Sequence, residues 1–208
     1  MQYVIFDFNG TILNDVDISV ECLNKTIEKY LLRDSLTIEE YKNIFTFPVK
    51  KYYEAVGFDF EQLDWYEVGE YWMNLYLNNC HRCKLNDGIV DLLKRNRENN
   101  IKNVVLSASR VDILKGQLRD LGIVDYFDEI QGIDNIYATS KLPIGLKFIE
   151  DKNKDECVMI GDTLHDLEVA NSMGIKCLLV SCGHQSKEVL LQESNNVYDD
   201  IRSIVIWE

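Results

Sequence analysis

The spacing of apolar residues predicts that buried strands and amphipathic helices alternate along most of this chain. The first apolar run, Tyr3 to Phe6, is short, rich in β-branched and aromatic residues, and followed at once by polar residues. Such a run is typical of a strand that is buried on both faces. From residue 87 onward, similar runs alternate with segments whose apolar residues recur every three or four positions. This alternation predicts a parallel sheet with helices on both faces.

The predicted elements of this α/β core follow each other without a low-complexity linker. After the first strand, strands are predicted at residues 102–107, 128–132, 156–160 and 175–180, with a short one near residue 197. Helices are predicted at residues 87–99, 111–121, 142–151, 164–173, 186–192 and 201–206. The predicted fold class is therefore α/β, with a doubly wound, Rossmann-like parallel sheet.

Between the first strand and residue 81 the pattern is helical only. Helices are predicted at residues 16–30, 37–44, 48–56 and 61–78. Asn14 or Asp15 is the candidate N-cap of the first helix, and Thr37 and Glu40 form a capping box that opens the second. Gly57 is expected to end the third. We therefore predict an α/β core of residues 1–13 and 81–208, with an all-helical cap of residues 14–80 inserted after the first strand.

The last predicted cap helix carries five aromatic residues, Trp65, Tyr66, Tyr71, Trp72 and Tyr76. These rings could line a substrate cleft. We expect most of them to form the core of the cap instead, because a small helical unit needs a large apolar area to be stable.

Composition and charge exclude several classes of partner. The chain has 208 residues, and 35 acidic against 22 basic residues give it a formal charge of -13. Neither a nucleic acid nor an anionic membrane is expected to bind it, since phosphate backbones attract positive surfaces. No apolar run reaches the length of a membrane span, and the first strand starts at Met1 without a basic leader.

The cysteines are expected to be reduced thiols. The six residues are scattered along the chain rather than arranged as a disulfide framework, which indicates a cytoplasmic protein. The one local pattern, Cys80-His81-Arg82-Cys83, lacks a second ligand pair at a zinc-binding spacing.

Polar side chains follow three of the predicted strands where these strands end. The first strand is followed by Asp7, the second ends at Ser107, and the fourth is followed by Asp162, with Asp166 at the start of the next helix. Lys141 precedes the helix between the third and fourth strands. In a parallel sheet these groups share one edge, where ligands bind.

Together these residues make chemical sense. Asp7 and Asp162 could hold Mg²⁺, a cation that prefers oxygen ligands. Ser107, the backbone N–H groups after it and Lys141 could hold a phosphate, and a carboxylate that contacts both is a candidate nucleophile. Each residue also has a structural interpretation, as a helix cap or as a solvated lysine. We favour the catalytic one because four such features in this order are improbable by chance.

These motifs resemble those of a known family. Asp7-Phe8-Asn9-Gly10-Thr11, Ser107, Lys141 and Gly161-Asp162-Thr163-Leu164-His165-Asp166 are similar, in order, to the four motifs of the haloacid dehalogenase-like (HAD) hydrolase superfamily. The helical insertion resembles the C1-type cap of the phosphoglycolate phosphatase and β-phosphoglucomutase branch. Lys141 is the weakest match, because Lys147 is a nearby competitor, although Tyr137-Ala138-Thr139-Ser140-Lys141 lies where the family lysine is expected.

The resemblance implies a Mg²⁺-dependent phosphatase of a small phosphorylated metabolite, with phosphoglycolate as the default guess. Asp7 would attack phosphorus and become a transient aspartyl-phosphate. The resemblance also implies that Asp7, Asp162 and the backbone carbonyl of Asn9 bind Mg²⁺, and that Ser107, Ala108 and Lys141 bind the phosphoryl group. Thr11 and Asp166 would hold these groups in place, with Asp166 orienting a metal-bound water or Lys141.

Asn9 departs from the family pattern, in which most phosphatases carry a second aspartate. That aspartate protonates the leaving oxygen and then activates water, whereas an amide has no proton to exchange near neutral pH. General acid–base assistance contributes ~10²–10⁴-fold, so we expect slow turnover with phosphate and metal binding retained.

Three hypotheses could explain Asn9. It could be natural in a subgroup that is slow or uses good leaving groups, another group such as His165 or a cap residue could supply the proton, or it could be an engineered replacement. We favour the first, and expect Asn9→Asp to raise turnover.

Other functions stay open at this stage. A phospho-ligand-binding or regulatory protein is the alternative in which Asn9 has ended turnover. A phosphomutase is less expected because it needs the proton-transferring residue more strictly, and a dehalogenase usually lacks the pattern that Asp162 and Asp166 supply. His184 follows a strand on the same edge and could approach the site or serve only a loop. The pattern does not predict the oligomeric state.

Overall fold

The structure, a computed structural model, describes residues 1–31, 33–134, 140–204 and 206. The strands are, in chain order, β1 (Tyr3–Phe6), β2 (Leu13–Asn14), β3 (Lys84–Leu85), β4 (Lys102–Arg110), β5 (Glu129–Ile133), β6 (Cys157–Gly161), β7 (Lys176–Val180) and β8 (Val197–Tyr198). The helices are α1 (Val16–Tyr30), α2 (Ile38–Ile44), α3 (Val49–Val56), α4 (Trp65–Asn79), α5 (Ile89–Glu98), α6 (Val111–Asp120), α7 (Leu142–Ile149), α8 (Leu164–Met173) and α9 (Lys187–Leu190).

Within the described residues, six strands form one parallel sheet in the order β5-β4-β1-β6-β7-β8. In the central strand β1, Val4 and Phe6 pack into one layer of helices and Ile5 packs into the other. All three side chains are fully buried, which explains the uninterrupted apolar run in the sequence. The predicted α/β fold with a parallel sheet is confirmed, and the ends of β1, β4 and β6 lie side by side.

Helices α1 to α4, which we call the cap, pack around apolar residues of their own, among them Leu23, Tyr52 and Val68. Where the chain passes into and out of these helices, β2 and β3 form a short antiparallel pair that joins Leu13 to Leu85. This pair was not predicted, because two residues are too few to show a strand pattern. The domain boundaries at residues 14 and 80 stay a prediction.

The local signals that open and close the cap helices behave as the sequence indicates. The Thr37 and Glu40 capping box is formed at the start of α2, and Gly57 ends α3 in a left-handed conformation. α4 begins four residues later than predicted, because the Asp64 side chain accepts hydrogen bonds from the N–H groups of Tyr66 and Glu67 and so caps the helix there.

The last predicted helix, residues 201–206, is wrong for the residues that the structure describes. A 3₁₀ turn at Ile201–Ser203 stands there, and residue 204 has left helical conformation. Asp200 caps this turn by accepting hydrogen bonds from the N–H groups of Arg202 and Ser203. The apolar residues that suggested an amphipathic helix therefore belong to a tight turn. None of the described helices is long and apolar enough to span a bilayer.

Candidate active site

Asp7 lies directly after β1, and its backbone N–H continues the sheet by donating to the carbonyl of Ile160 at 2.9 Å. Its carboxylate forms an ion pair with Lys141, which also contacts Asp166 at 2.5 Å. Lys141 is only 2% exposed and donates to the carbonyl of Leu106 at 3.2 Å. The structure therefore brings Lys141 into the site, and Lys147 is exposed to solvent.

The charges in this cluster do not balance. Burial raises the pKa of Asp7; the ammonium of Lys141 opposes the increase, and the Asp166 carboxylate adds to it. Burial alone would raise the pKa of Asp166 too, but Lys141 outweighs it and leaves that pKa below its ordinary value. Lys141 itself has a raised pKa, because Asp166 and Asp7 outweigh the effect of its burial. One buried ammonium thus faces more than one carboxylate.

Asp162 and Asp166 are fixed by the start of α8. Thr163 and Asp166 form a capping box, and Asp166 Oδ2 accepts from the N–H groups of Asp162 and Thr163 at 3.1 and 2.9 Å. One Asp162 oxygen accepts from the Thr11 hydroxyl at 2.8 Å, and the other accepts from the N–H of His184 at 2.7 Å. Asp166 therefore both caps the helix and holds Lys141, so the structural and catalytic interpretations do not compete.

The donor set suits a hard divalent cation. Oxygen atoms of Asp7, Asp162 and Asp166 lie within 4.8 Å of one another, and carboxylate oxygens are the ligands that Mg²⁺ prefers. Gly10 has φ 78°, and a Cβ at this position would collide with the Asp162 carboxylate and the His184 ring. Glycine here lets the backbone approach the carboxylate closely.

The end of β4 supplies hydroxyl groups beside Asp7. Ser107 is buried, and its Oγ accepts from the N–H of Ser109 at 3.0 Å. The Ser109 hydroxyl donates to the side-chain carbonyl of Asn9 at 2.9 Å, and half-buried Ala108 lies between the two serines. These residues line the same cleft as Asp7.

The side chain of Asn9 is held by three partners. Its amide N–H groups donate to Asp15 Oδ2 at 2.7 Å and to the Tyr76 hydroxyl at 2.8 Å. Its carbonyl accepts from Ser109, as described above. Both N–H donors of the amide are therefore engaged with the cap and with Asp15.

Asp15 is the principal site residue that sequence reasoning missed. Asp15, one of the two candidate N-caps of α1, stands at the N-cap position, but its side chain makes no cap hydrogen bond. Its Oδ1 instead accepts from the N–H of Gly10 at 2.9 Å and lies 3.2 Å from His184 Nε2. Burial would raise the pKa of Asp15, but His184, Asn9 and Tyr76 lower it below its ordinary value. The available signal was its place four residues after Thr11, close behind the first motif.

His184 is buried beside the site, so it approaches the site rather than serving only its loop. Its Nδ1 lies 2.8 Å from the hydroxyl of Tyr41 in α2. Burial alone would lower the pKa of His184, but the Asp15 carboxylate outweighs it and raises the pKa to about 9. This histidine therefore links the cap, Asp15 and Asp162.

A cleft of about 190 Å³ opens between this cluster and the cap. Trp65, Trp72 and Tyr76 line it and also pack in the apolar clusters, Trp65 and Trp72 against that of the cap. For these three rings the expected core role and the alternative role, lining the cleft, occur together. Tyr66 is 58% exposed and belongs to neither group. Where α4 crosses the cleft, the same face of the helix packs in the apolar clusters and lines the cleft.

The fold and the site together define a class of protein. The family model described as haloacid dehalogenase-like hydrolase matches residues 4–180. The chain therefore belongs to this family and is a hydrolase, as the motifs predicted.

Individual relatives are distant. Pyrophosphatase PpaX of Halalkalibacterium halodurans is 24% identical over 206 residues, covering 91% of this chain and 87% of the relative. A haloacid dehalogenase-like family hydrolase from Streptococcus pneumoniae has a TM-score of 0.77 at 20% identity, with 95% of this chain and 92% of that chain covered. CbbY from Rhodobacter sphaeroides, solved in complex with phosphate, has a TM-score of 0.74 at 17% identity, with coverage of 96% and 94%. These structures share the fold.

Proposed function

We propose that this chain is a Mg²⁺-dependent phosphatase that hydrolyses a small phosphorylated metabolite through a phosphorylated intermediate on Asp7. The observation that carries the proposal is the meeting of Asp7, Lys141 and Asp162 at one sheet edge. Phosphoryl transfer needs a nucleophile together with charges that are already positioned around the phosphorus. Membership of a hydrolase family and relatives named pyrophosphatase support this function.

In the proposed reaction, a carboxylate oxygen of Asp7 attacks phosphorus and the bond from phosphorus to the leaving oxygen breaks. The leaving oxygen takes the bonding electron pair. Water then attacks the phosphorus of the aspartyl-phosphate, which releases phosphate and restores Asp7. Ser107, the N–H of Ala108 and Lys141 bind the phosphoryl oxygens and offset their charge.

Asp7, Asp162 and the backbone carbonyl of Asn9 would hold the Mg²⁺, with Thr11 and Asp166 fixing the groups around it. The bound cation would supply positive charge next to the phosphoryl group. We extend the proposal to a C1-type cap that covers the substrate and to a cytoplasmic location. Phosphoglycolate, the default substrate of the resembled branch, and pyrophosphate, named in the relatives, are the reference compounds.

One observation favours a second candidate function. Both N–H groups of Asn9 are engaged with Asp15 and Tyr76, so position 9 offers the leaving oxygen neither a transferable proton nor a free donor. A protein of this kind could bind a phosphorylated ligand without turning it over.

Hydrolysis of p-nitrophenyl phosphate with and without Mg²⁺ tests the proposal. We expect Mg²⁺-dependent turnover, and a loss on the order of 10³-fold or more in Asp7→Asn because the nucleophile is removed. Asp17→Asn, an exposed change in α1, is the matched control and should keep full activity. If the unmodified protein is no faster than Asp7→Asn, the binding protein is the better description.

Thermal unfolding tests the metal independently of turnover. Mg²⁺ should raise the melting temperature of the unmodified protein, because a ligand that binds only the folded state stabilises it. Asp162→Asn should lose most of this shift, and Asp17→Asn should retain it. Equal shifts in all three proteins would contradict the proposed Mg²⁺ site.

A further inference from the structure

The wall that the cap presents to the cleft is apolar. The segment from the end of α2 to the start of α3 contributes Phe45, Phe47 and Val49, and α4 contributes Trp65, Trp72 and Met73. Phe47 is stacked on His165 with the ring centroids 4.5 Å apart, and Trp72 is stacked on Tyr76 at 5.1 Å. Since this wall is continuous with Asp7 and Ser107, whatever is attached to a phosphoryl group bound there contacts these rings.

No Lys, Arg or His of the cap lines the cleft among the residues that the structure describes. Next to the cap, His184 is already paired with Asp15 at 3.2 Å. On the opposite side, Lys141 already contacts Asp7 and Asp166. Arg110 is bound at 2.6 and 2.9 Å by Asp112. The one unpartnered buried nitrogen among the described lining residues is His165 Nε2, on the ring stacked against Phe47. A second phosphoryl group, or the carboxylate of phosphoglycolate, would lose its water against rings with at most that nitrogen as a partner, which is costly for an ion.

A second observation concerns the leaving oxygen. Asn9 cannot protonate it, and its amide donors are already committed to Asp15 and Tyr76. A leaving group that receives no proton from His165, whose ring is stacked on Phe47 in the same cleft, must depart as an anion or be protonated afterwards by solvent. An aryl oxide suits this requirement, because a phenol ionises near pKa ~10, several units below an alkyl alcohol.

We propose that the substrate is a phosphomonoester of an aromatic hydroxyl, whose flat apolar leaving group lies against the Phe47 and Trp72 stacks while Asp7 attacks the phosphorus. This inference rests on the proposed phosphatase function and narrows its substrate class. In the transfer step the bond from Asp7 oxygen to phosphorus forms as the bond from phosphorus to the aryl oxygen breaks. The aryl oxide takes the electron pair and later a proton from solvent. The apolar wall disfavours pyrophosphate, and the missing acid disfavours alkyl esters.

The test compares kcat/KM for 2-naphthyl phosphate, pyrophosphate, phosphoglycolate and 2-phenylethyl phosphate in saturating Mg²⁺. We expect 2-naphthyl phosphate to exceed each of the others by about tenfold or more, a discrimination that an apolar pocket can supply. 2-Phenylethyl phosphate carries an aromatic ring on an alkyl oxygen, so it isolates the effect of the leaving oxygen. If it is hydrolysed as fast as 2-naphthyl phosphate, a proton donor is present and the inference is overturned.

A charge placed in the wall gives the complementary test. Met73→Lys should lower kcat/KM for 2-naphthyl phosphate and raise it for pyrophosphate, each by about tenfold. Asn74→Lys introduces the same side chain at the next position of α4, on an exposed site, and should change neither value by more than about twofold. A preference of the unmodified protein for pyrophosphate or phosphoglycolate would overturn the inference and leave the phosphatase proposal standing.

Binding separates the two proposals if no phosphate ester is hydrolysed. That result would overturn the phosphatase proposal, and tryptophan fluorescence titrations would then decide the ligand class. Tighter binding of 2-naphthyl phosphate than of pyrophosphate, reversed in Met73→Lys, would support an aromatic phospho-ligand. Binding of 2-naphthyl phosphate that is equal to or weaker than that of pyrophosphate would overturn the inference of an aromatic ligand.

Discussion

Asn9 and Asp15 form a matched pair at the residue scale. Each Asp15 oxygen accepts two contacts: Oδ2 from Asn9 and Tyr76, and Oδ1 from the Gly10 N–H and His184. A carboxylate at half-buried position 9 would place two carboxylate oxygens 2.7 Å apart, where an amide and a carboxylate now share a hydrogen bond. This arrangement favours the hypothesis that Asn is natural here, because the surroundings suit a donor at position 9.

The pairing sharpens what Asn9→Asp should do. Alone, the change introduces an acid but sets it against Asp15, so we expect only a small rise in turnover together with a lower melting temperature. Combining Asn9→Asp with Asp15→Asn makes position 15 the hydrogen-bond donor and position 9 the acceptor, which restores the hydrogen bond between them. The double variant should turn over ~10²-fold faster than the unmodified protein, within the range of general acid–base assistance.

Steady-state kcat on 2-phenylethyl phosphate checks this prediction, since an alkyl leaving oxygen depends most on a proton donor. Asp15→Asn alone is the control and should give no gain, because position 9 still lacks an acid. If the double variant is no faster than Asp15→Asn, position 9 does not serve the leaving group.

Sequence patterns locate residues that end strands better than residues held by tertiary contacts. Asp7, Ser107 and Asp162 were predictable because parallel strands bring their carboxyl ends to one edge. For Asn14 and Asp15 the local pattern predicts only a helix cap, because it contains the helix start but not the buried partners of Asp15. His184 and Tyr76, which lie 169 and 61 residues away from Asp15 along the chain, cannot enter a local argument.

At the scale of elements, the cap and the core are joined by the end of α2 and the loop after β7. Gln185 is buried and donates to the carbonyl of Phe45 at 2.7 Å, while its own carbonyl accepts from the N–H of Leu164 at 2.6 Å. Lys42 reaches the carbonyl of Ser181 at 2.7 Å in the same contact. Gln185 thus connects the cap to the first residue of α8, the helix that carries Asp166.

Gln185→Ala should loosen this connection. It leaves the Leu164 N–H and the Phe45 carbonyl without their partner, at a cost of about 1–3 kcal/mol in the free energy of unfolding. Hydrogen exchange should increase in residues 38–47, and KM should rise more than kcat falls, because the cap then covers the substrate less often.

Hydrogen exchange followed by mass spectrometry, with parallel kinetics, measures both effects. Gln62→Ala removes a glutamine whose partner is exposed Asp59, and it should leave residues 38–47 unchanged. Equal exchange in this segment for both variants would show that Gln185 does not hold the cap.

Elements with strong local signals were predictable and short ones were not. Capping residues fixed the start of α2 and the end of α3. The β2–β3 pair escapes prediction because its register depends on residues 13 and 85 meeting in space. The turn at Ile201–Ser203 shows the reverse error, since apolar spacing over six residues fits a tight turn as well as a helix.

At the scale of the whole molecule, the architecture follows from its repeated units. Val4, Ile5 and Phe6 are apolar in succession because helices cover both faces of β1, and this two-sided burial is visible in sequence. The shape of the cleft was not predictable, because it depends on how α4 is turned toward Asp7. The sequence could therefore indicate a phosphatase fold but not the character of the wall that selects the substrate.

The overall charge makes a prediction about the rate of substrate capture. The formal charge of -13 repels an anionic phosphate ester over distances set by the Debye length, which falls from ~30 Å at 0.01 M salt to ~8 Å at 0.15 M. Raising KCl across this range should therefore increase kcat/KM roughly two- to fivefold, since screening removes a long-range repulsion. kcat should stay constant, because the bound phosphoryl group lies among buried charges that salt screens little.

The measurement uses saturating Mg²⁺, with sucrose at matched osmolality as the control that should change neither constant. A fall in kcat/KM with salt would show instead that the local field of the cleft attracts the substrate and outweighs the charge of the molecule.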